Sequence, residues 1–319
     1  MEDSYIMLKN ISKSFENKQI LSISELSINK GEILSIIGPS GVGKSTLLRT
    51  IAGLSDDDYG EILIDGISMK GIPPQKRPVV YMFQDSLLFP HMNLLDNITF
   101  GLKMLGIKRK EREKSGKLML EKVGLVNLEK RFPHEISGGQ KQRVALGRSL
   151  IVKPKVLLLD EPFSNLDSEL RKDTRRWMKR LLKEEEMTVL FVTHDLEEAM
   201  AIGDRVAILG EKTLQQVASP ENLYHHPSNR FVSSFLQSGL WENERFISSE
   251  QLILSERKPL EHEPFWKAEI IESYFQNGNA QLVVSVKETK EKLTMVGKEN
   301  TQEGKLVYLY KKDKLKGGK

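Results

Sequence analysis

No cysteine occurs among the 319 residues, which excludes a disulfide framework and any thiolate metal site. No window reaches the roughly 18 uninterrupted apolar residues that a membrane-spanning helix needs. The start, Met1-Glu2-Asp3-Ser4, is acidic and lacks a long apolar run, so it does not read as a secretory signal. A large excess of either charge is also missing: 48 Lys and Arg face 44 Asp and Glu, a net of +4. Basic runs are interleaved with acids, as in Lys108-Arg109-Lys110-Glu111-Arg112-Glu113-Lys114, which reads as a solvated helix face. No nucleic-acid partner is expected on that footing. What is present is ordinary for a cytoplasmic globular chain, 39% apolar and 29% charged, with a length that favours two domains.

Apolar and polar residues alternate over the first 30 positions, predicting short antiparallel strands. Glu32 to Ile37 reads as a buried strand running into Gly38, followed by a helix from Ser45 to Ala52. Residues 61–65 and 79–83 are further strands, with turns at Gly66 and Pro73-Pro74. Between Asn93 and Val152 the period becomes helical, with Leu94, Ile98, Leu102, Leu105, Leu118, Leu120, Val123 and Leu125 on amphipathic faces. The α/β pattern resumes with the strand Val156 to Asp160, a charged helix from Glu169 to Glu185 and the strand Thr188 to Thr193. A helix from Leu196 and a strand from Arg205 to Leu209 follow. This alternation predicts a mainly parallel sheet covered on both faces, with a helical insertion. Near residue 236 the texture shifts to hairpin-linked strands, with a turn at Asn277-Gly278-Asn279 and strands at 268–274, 281–286, 292–296 and 305–310. That predicts a small all-β domain of partial-barrel type.

Gly38-Pro39-Ser40-Gly41-Val42-Gly43-Lys44-Ser45 satisfies G-x-x-x-x-G-K-[ST] between a predicted strand and a predicted helix. Glycines let backbone N–H groups close around phosphates, Lys44 balances their charge, and the Ser45 hydroxyl suits Mg²⁺. Asp160-Glu161 ends an apolar strand. An aspartate there can hold Mg²⁺ and a second carboxylate can deprotonate water, although two acids can also simply balance nearby cations. His194 follows another buried strand and could reach a phosphate through a ring N–H, or be structural. Gln84 could reach Mg²⁺ or the attacking water. Phe15, expected on an early loop, could stack on a base or fill a core. Ser137, with Gln140 three residues later, is a capping box, and such a helix start suits an anion.

Together these motifs resemble the nucleotide-binding subunits of ABC (ATP-binding cassette) transporters over about residues 5–235. Gly38 to Ser45 is similar to the family's Walker A loop and Gln84 to its Q-loop. Ile136-Ser137-Gly138-Gly139-Gln140 matches the signature, with Ile136 where Leu is usual. Val156 to Glu161 resembles Walker B with its catalytic glutamate, Ser164-Asn165-Leu166-Asp167 the D-loop, and His194 the switch histidine. Asn165 stands where Ala is frequent, and Gly210 to Gln216 departs from the usual glycine-containing turn. Phe83 to Met92, Glu161 to Asp167 and Tyr224 to Val232 look like importers of sugars, polyamines, ferric iron or sulfate-type oxyanions.

The resemblance implies a P-loop NTPase cassette over residues 1–238, with a helical subdomain at about 86–152. An OB-like β-barrel regulatory domain over 239–319 would follow. It implies ATP and Mg²⁺ as cofactors, with Glu161, His194 and Gln84 catalytic and Ser45, Gln84 and Asp160 serving the metal. Nucleotide contacts would come from Phe15, Gly38, Pro39, Ser40, Gly41, Val42, Gly43, Lys44, Ser45, Thr46, Ser137, Gly138, Gly139, Gln140 and Asp167. ATP would sit between Walker A of one copy and Ser137-Gly138-Gly139 of a second in a head-to-tail homodimer. Permease subunits would dock near Gln84 and Phe89-Pro90-His91, an extracytoplasmic binding protein would deliver solute, and the chain would lie peripherally on the cytoplasmic face of the membrane. The alternatives are an ABC ATPase uncoupled from transport and an exporter subunit.

Overall fold

The early alternation of apolar residues produces two long strands, β1 (Ile6–Phe15) and β2 (Lys18–Ile28). They pair antiparallel from Ile6 opposite Ile28 to Phe15 opposite Lys18. Both are longer than expected, and Phe15 closes a strand instead of lying in a loop. The ladder absorbs an irregularity at Lys13/Ser14 and runs on to the turn. A computed structural model describes residues 4–16, 18–55, 59–85, 88–164, 166–258, 264–276, 278–297 and 302–312. Asn165 and Asn277, singled out in the sequence, lie outside these.

Chain order continues with β3 (Ile33–Ile37), α1 (Lys44–Ala52), β4 (Tyr59–Ile64), β5 (Ile67–Ser68) and β6 (Val79–Met82). Three helices follow, α2 (Leu94–Met104), α3 (Arg109–Lys122) and α4 (Gly138–Leu150). Then come β7 (Val156–Asp160), α5 (Ser168–Glu184), β8 (Thr188–Val192), α6 (Leu196–Ile202), β9 (Arg205–Gly210) and β10 (Thr213–Ala218). The ten strands form one sheet in the order β5-β4-β1-β2-β10-β9-β3-β8-β7-β6. From β9 to β6 the pairing of β3, β6, β7, β8 and β9 is parallel.

The parallel strands are buried at every position of β3, β7 and β8. Successive side chains point to opposite faces, and two cores result. Leu34, Ile36, Val156, Leu158, Leu190 and Val192 join α1 and the antiparallel strands on one face. Ile33, Leu157, Leu159, Val189 and Phe191 join the helical side on the other. Helix α5 is held to that side by Thr174, Met178, Leu181 and Leu182, a spacing of three and four that makes one apolar stripe. Each buried leucine there contributes about 2 kcal/mol.

The β9–β10 connection forms a tight turn without the glycine usual at such a place. Glu211 and Lys212 both adopt positive φ, 48° and 67°. Two-residue hairpin loops of type I′ demand left-handed backbone at both central positions, and non-glycine residues meet that demand here at a steric cost.

The chain divides into two compact units, Met1–Val217 and Ala218–Lys319. The second opens with two short helices, α7 (Pro220–His225) and α8 (Arg230–Leu236), N-capped by Ser219 and Asn229. A hairpin of β11 (Gly239–Glu242) and β12 (Arg245–Ser248) follows. The remaining strands are β13 (Leu252–Ser255), β14 (Phe265–Gln276), β15 (Asn279–Val286), β16 (Lys292–Gly297) and β17 (Leu306–Lys311). They form an antiparallel sheet ordered β13-β17-β14-β15-β16. This is the small OB-like half-barrel expected from the strand-rich tail. Its core is built from Leu240, Ile247, Leu252, Ile270, Leu282, Val284, Leu293, Val307 and Leu309.

One buried amide organises the segment before α2. Asn97 is fully buried. Its Oδ1 accepts from the Phe89 N–H at 2.8 Å, and its Nδ2 donates to the carbonyls of Phe89, Met92 and Asn93 at 3.0, 2.9 and 3.1 Å. Phe89 packs against Phe100 of α2 with ring centres 4.5 Å apart and planes tilted by 49°, and the Arg148 guanidinium of α4 lies 5.3 Å from its ring centre. Replacing Asn97 by Leu keeps the volume but leaves these half-buried backbone groups without their partner. We expect chemical denaturation of the Asn97→Leu chain to show a loss of roughly 3 kcal/mol, against a fraction of that for the exposed Lys103→Ala.

Candidate active site

Hydrogen-bond register brings the chemistry-bearing residues to one level. In the parallel ladders Met82 lies opposite Leu159, Asp160 opposite Val192, and Val192 opposite Ile36. The carboxyl ends of β6, β7, β8 and β3 are therefore flush. Gln84, Glu161, His194 and Gly38 each follow one of those ends within two residues. Crevices outside such strand ends are where open α/β sheets bind ligands.

The loop Gly38–Gly43 connects β3 to α1. Gly38 passes so close to β9 that a Cβ there would meet the Leu209 carbonyl oxygen at 2.2 Å. Gly43 is the N-cap of α1, with φ 104° and ψ 12°, a conformation that a side chain would resist. Pro39, Ser40 and Gly41 are exposed, Val42 is buried, and Thr46 is half-buried on the first turn of α1. The helix has no side-chain cap, so its first N–H groups point out of the turn and suit an anion. Lys44 is buried, its ammonium donating to the carbonyls of Gly38 at 2.8 Å and Pro39 at 3.0 Å. Burial lowers the Lys44 pKa, and the carboxylates of Glu161 and Asp160 oppose that shift.

Asp160 ends β7 with its carboxylate divided between two donors. The Ser45 hydroxyl donates to Oδ1 at 2.8 Å and the Tyr81 hydroxyl to Oδ2 at 2.6 Å. A serine hydroxyl and a carboxylate oxygen side by side at the mouth of a phosphate loop are hard oxygen donors. Mg²⁺ is held by such a pair, completed by water and substrate phosphates. The donor set therefore fits that cation.

Glu161 takes φ 44° immediately after the strand. Its N–H donates to the Val192 carbonyl at 2.9 Å, and its own carbonyl accepts from the Ser164 hydroxyl at 3.1 Å. This left-handed turn presents the side chain to His194, whose Nδ1 lies 2.9 Å from Glu161 Oε2. A carboxylate only accepts, so Nδ1 carries the proton in that contact. Backbone strain of this kind concentrates at functional sites.

A network that is buried at Thr193 and Glu198 and half-buried at Arg171 and Asp195 joins the His194 segment to the turn after Glu161. The Thr193 hydroxyl donates to Glu198 Oε2 at 2.6 Å, and Asp195 caps α6 through the Glu198 N–H at 3.0 Å. Arg171 of α5 lies 3.8 Å from both Asp195 and Glu198 and donates to the Leu166 carbonyl at 3.0 Å. Asp167 caps α5 by accepting from the Leu170 N–H at 2.9 Å. Burial raises the Glu198 pKa, and the Thr193 hydrogen bond works against it.

The remaining candidates stand apart from this cluster in their bonding. Ser137 and Gln140 form the expected reciprocal box: the Gln140 N–H donates to Ser137 Oγ at 3.3 Å and the Ser137 N–H to Gln140 Oε1 at 2.9 Å. Ser137 and Gly138 are exposed, while Gly139 is buried against Leu170. Their helix packs on α2, α3, α5 and β6. Gln84 is exposed beyond β6, and Phe15 is 68% exposed at the end of β1. Sequence reasoning missed Tyr81, Arg171 and Glu198. A tyrosine inside an apolar strand carries no motif signal, and the spacing Thr193-x-Asp195-x-x-Glu198 is a capping pattern that gives no hint of burial.

The sequence profile of the family described as ABC transporter matches residues 21–164. The spermidine/putrescine import ATP-binding protein PotA of Mesoplasma florum is 42% identical over 253 residues, covering 79% of this chain and 72% of that protein. The maltose/maltodextrin import ATP-binding protein MalK of Photorhabdus laumondii is 45% identical over 235 residues, covering 74% and 64%. The Fe(3+) ions import ATP-binding protein FbpC of Escherichia coli K12 is 43% identical over 235 residues, covering 74% and 68%. The match thus spans about two thirds of the length of these relatives.

A carboxyl whose pKa is raised on folding stabilises the fold below its ordinary value of 4.5, and that contribution is lost as pH rises through the raised value. Glu198→Gln retains an acceptor for Thr193 and removes the ionisation. Thermal denaturation across the range above pH 4.5 should show the variant gaining on the wild-type chain as pH rises. A pH-independent difference would show that burial of this carboxyl costs nothing.

Proposed function

The chain belongs to the ABC transporter family as an ATP-binding, ATP-hydrolysing subunit of importer type, and from that premise we propose how its residues couple hydrolysis to solute import. The observation that carries the reading is the flush strand ends, which gather Lys44, Ser45, Asp160, Glu161 and His194. The outer phosphates of ATP lie in the loop Gly38 to Thr46, contacted by its backbone N–H groups and neutralised by Lys44, with Phe15 stacked on the base. Ser45 and Asp160 would hold Mg²⁺, with Gln84 as a further neutral ligand, and the bound cation would offset phosphate charge. Glu161 accepts a proton from the water that attacks the γ-phosphorus as the bond to ADP breaks. His194 keeps the Glu161 carboxylate aimed and contacts the terminal phosphate.

The complete site needs a second copy of the chain. Ser137, Gly138, Gly139 and Gln140 form a capped helix start, exposed at Ser137 and Gly138 and suited to a phosphate, and Asp167 lies in the turn that faces the partner. A head-to-tail homodimer closes on ATP and opens once the γ-phosphate leaves, a population shift driven by the difference between ATP and ADP contacts. Residues 1–238 act as the cassette, with the helical subdomain at about 86–152, and 239–319 as a regulatory β-domain. Among the described residues no helix is long and apolar enough to cross a membrane. In this reading, supported by relatives named as import ATP-binding proteins, import runs through separate permease subunits, docked from the cytoplasmic face near Gln84 and Phe89-Pro90-His91, with a solute-binding protein outside. Relatives named for polyamines, maltose and ferric iron match at nearly equal identity, which supports a reading in which those other components choose the cargo.

Glu161→Gln should retain ATP binding while steady-state ATPase in the assembled complex falls about 100-fold or more. Near-normal turnover would remove Glu161 as the base. In that variant ATP should drive dimer formation visible by light scattering, and adding Ser137→Arg should abolish it. ATP-dependent dimers of the double variant would contradict the role of Ser137 across the interface.

A further inference from the structure

Tyr81 has no part in the reading above, yet its hydroxyl makes a 2.6 Å bond to Asp160. Register explains why it reaches. Tyr81 lies opposite Leu158 in the β6–β7 ladder, and residues two apart on a strand share a face, so Tyr81 stands on the face that Leu158 and Asp160 occupy. The ring packs against the core built around Val156 and Leu158, and Phe83 lies 4.5 Å away. One side chain thus ties β6 to the end of β7.

We propose that Tyr81 is a positioning residue for the divalent-cation site. Its phenolic O–H holds Oδ2 of Asp160 so that Oδ1 remains turned to Ser45. The inference rests on the assignment of Ser45 and Asp160 to that cation. A carboxylate at a strand end has a broad, roughly two-fold terminal torsion. Asp160 tethered only by Ser45 would lose that orientation whenever the serine hydroxyl turned away from it to offer its oxygen to a metal. The tether from Tyr81 lies on the opposite oxygen and survives that exchange. Outer groups that orient a ligating carboxylate change metal affinity about 10- to 100-fold when removed.

The test uses the full-length chain and Mn²⁺ as the probe, with bound and free metal counted by electron paramagnetic resonance in the presence of ADP. Tyr81→Phe deletes only the hydroxyl, and Tyr81→Met keeps an apolar filler in the same place. Both should bind Mn²⁺ about 10-fold more weakly than the wild-type chain. ADP affinity measured in chelator should not move, which a general loosening of the fold would not produce. Asp160→Asn, as reference, should weaken Mn²⁺ further. If Asp160→Asn weakens Mn²⁺ but both Tyr81 variants bind it like the wild type, the positioning role is wrong and the cation site stands. If Asp160→Asn also leaves Mn²⁺ affinity unchanged, the cation site itself is misassigned and the role of Tyr81 falls with it.

Discussion

Parallel register is the constraint on which the site depends. Four strands that are distant in sequence end level because their backbone bonds pair Met82 with Leu159, Asp160 with Val192 and Val192 with Ile36. In a parallel sheet a slip of one residue exchanges the two faces. Here both faces are apolar, so the slip would have to be paid by two cores at once. The same slip would carry Asp160 away from Ser45 and Glu161 away from His194. The geometry of the reacting groups is thereby secured by burial far below them, at Leu34, Leu158, Leu190 and Phe191.

Above those ends the backbone leaves regular structure in ways that serve the side chains. The left-handed turns at Gly43 and Glu161 do different work. The first opens a helix start without a competing side chain, and the second presents a carboxylate to an imidazole. Around them a layer of acceptors and donors fixes orientation. Arg171 ties the Leu166 carbonyl to the acids of the His194 segment, and Tyr81 ties β6 to Asp160.

Much of this was legible in the sequence where hydrophobic pattern and motif coincide. Val156 to Asp160 reads as a buried strand because five successive positions need two apolar faces, and it is one. The phosphate loop and the Ser137 box were readable because glycine, serine and glutamine at fixed offsets solve local backbone problems. Phe15 was misplaced because a ladder can continue to within two residues of a turn, which composition does not reveal. In the tail, β11 to β13 escaped notice because strands of four residues, such as Leu252 to Ser255, are too short to show a period. Tyr81, Arg171 and Glu198 were illegible for another reason: Tyr81 meets Asp160, and Arg171 meets Asp195 and Glu198, only where the fold brings distant segments together.

Asn97 has a mechanical consequence. Its four bonds to the backbone of Phe89, Met92 and Asn93 leave that surface segment no soft joint of its own. Phe89 is in addition pressed between Phe100 on α2 and Arg148 on α4. A load applied at Phe89-Pro90-His91 is therefore not absorbed by bending of a loop but passes as displacement into two helices. One of them, α4, carries Ser137 at its far end, so the segment acts as the short arm of a lever whose long arm is thirteen residues of helix.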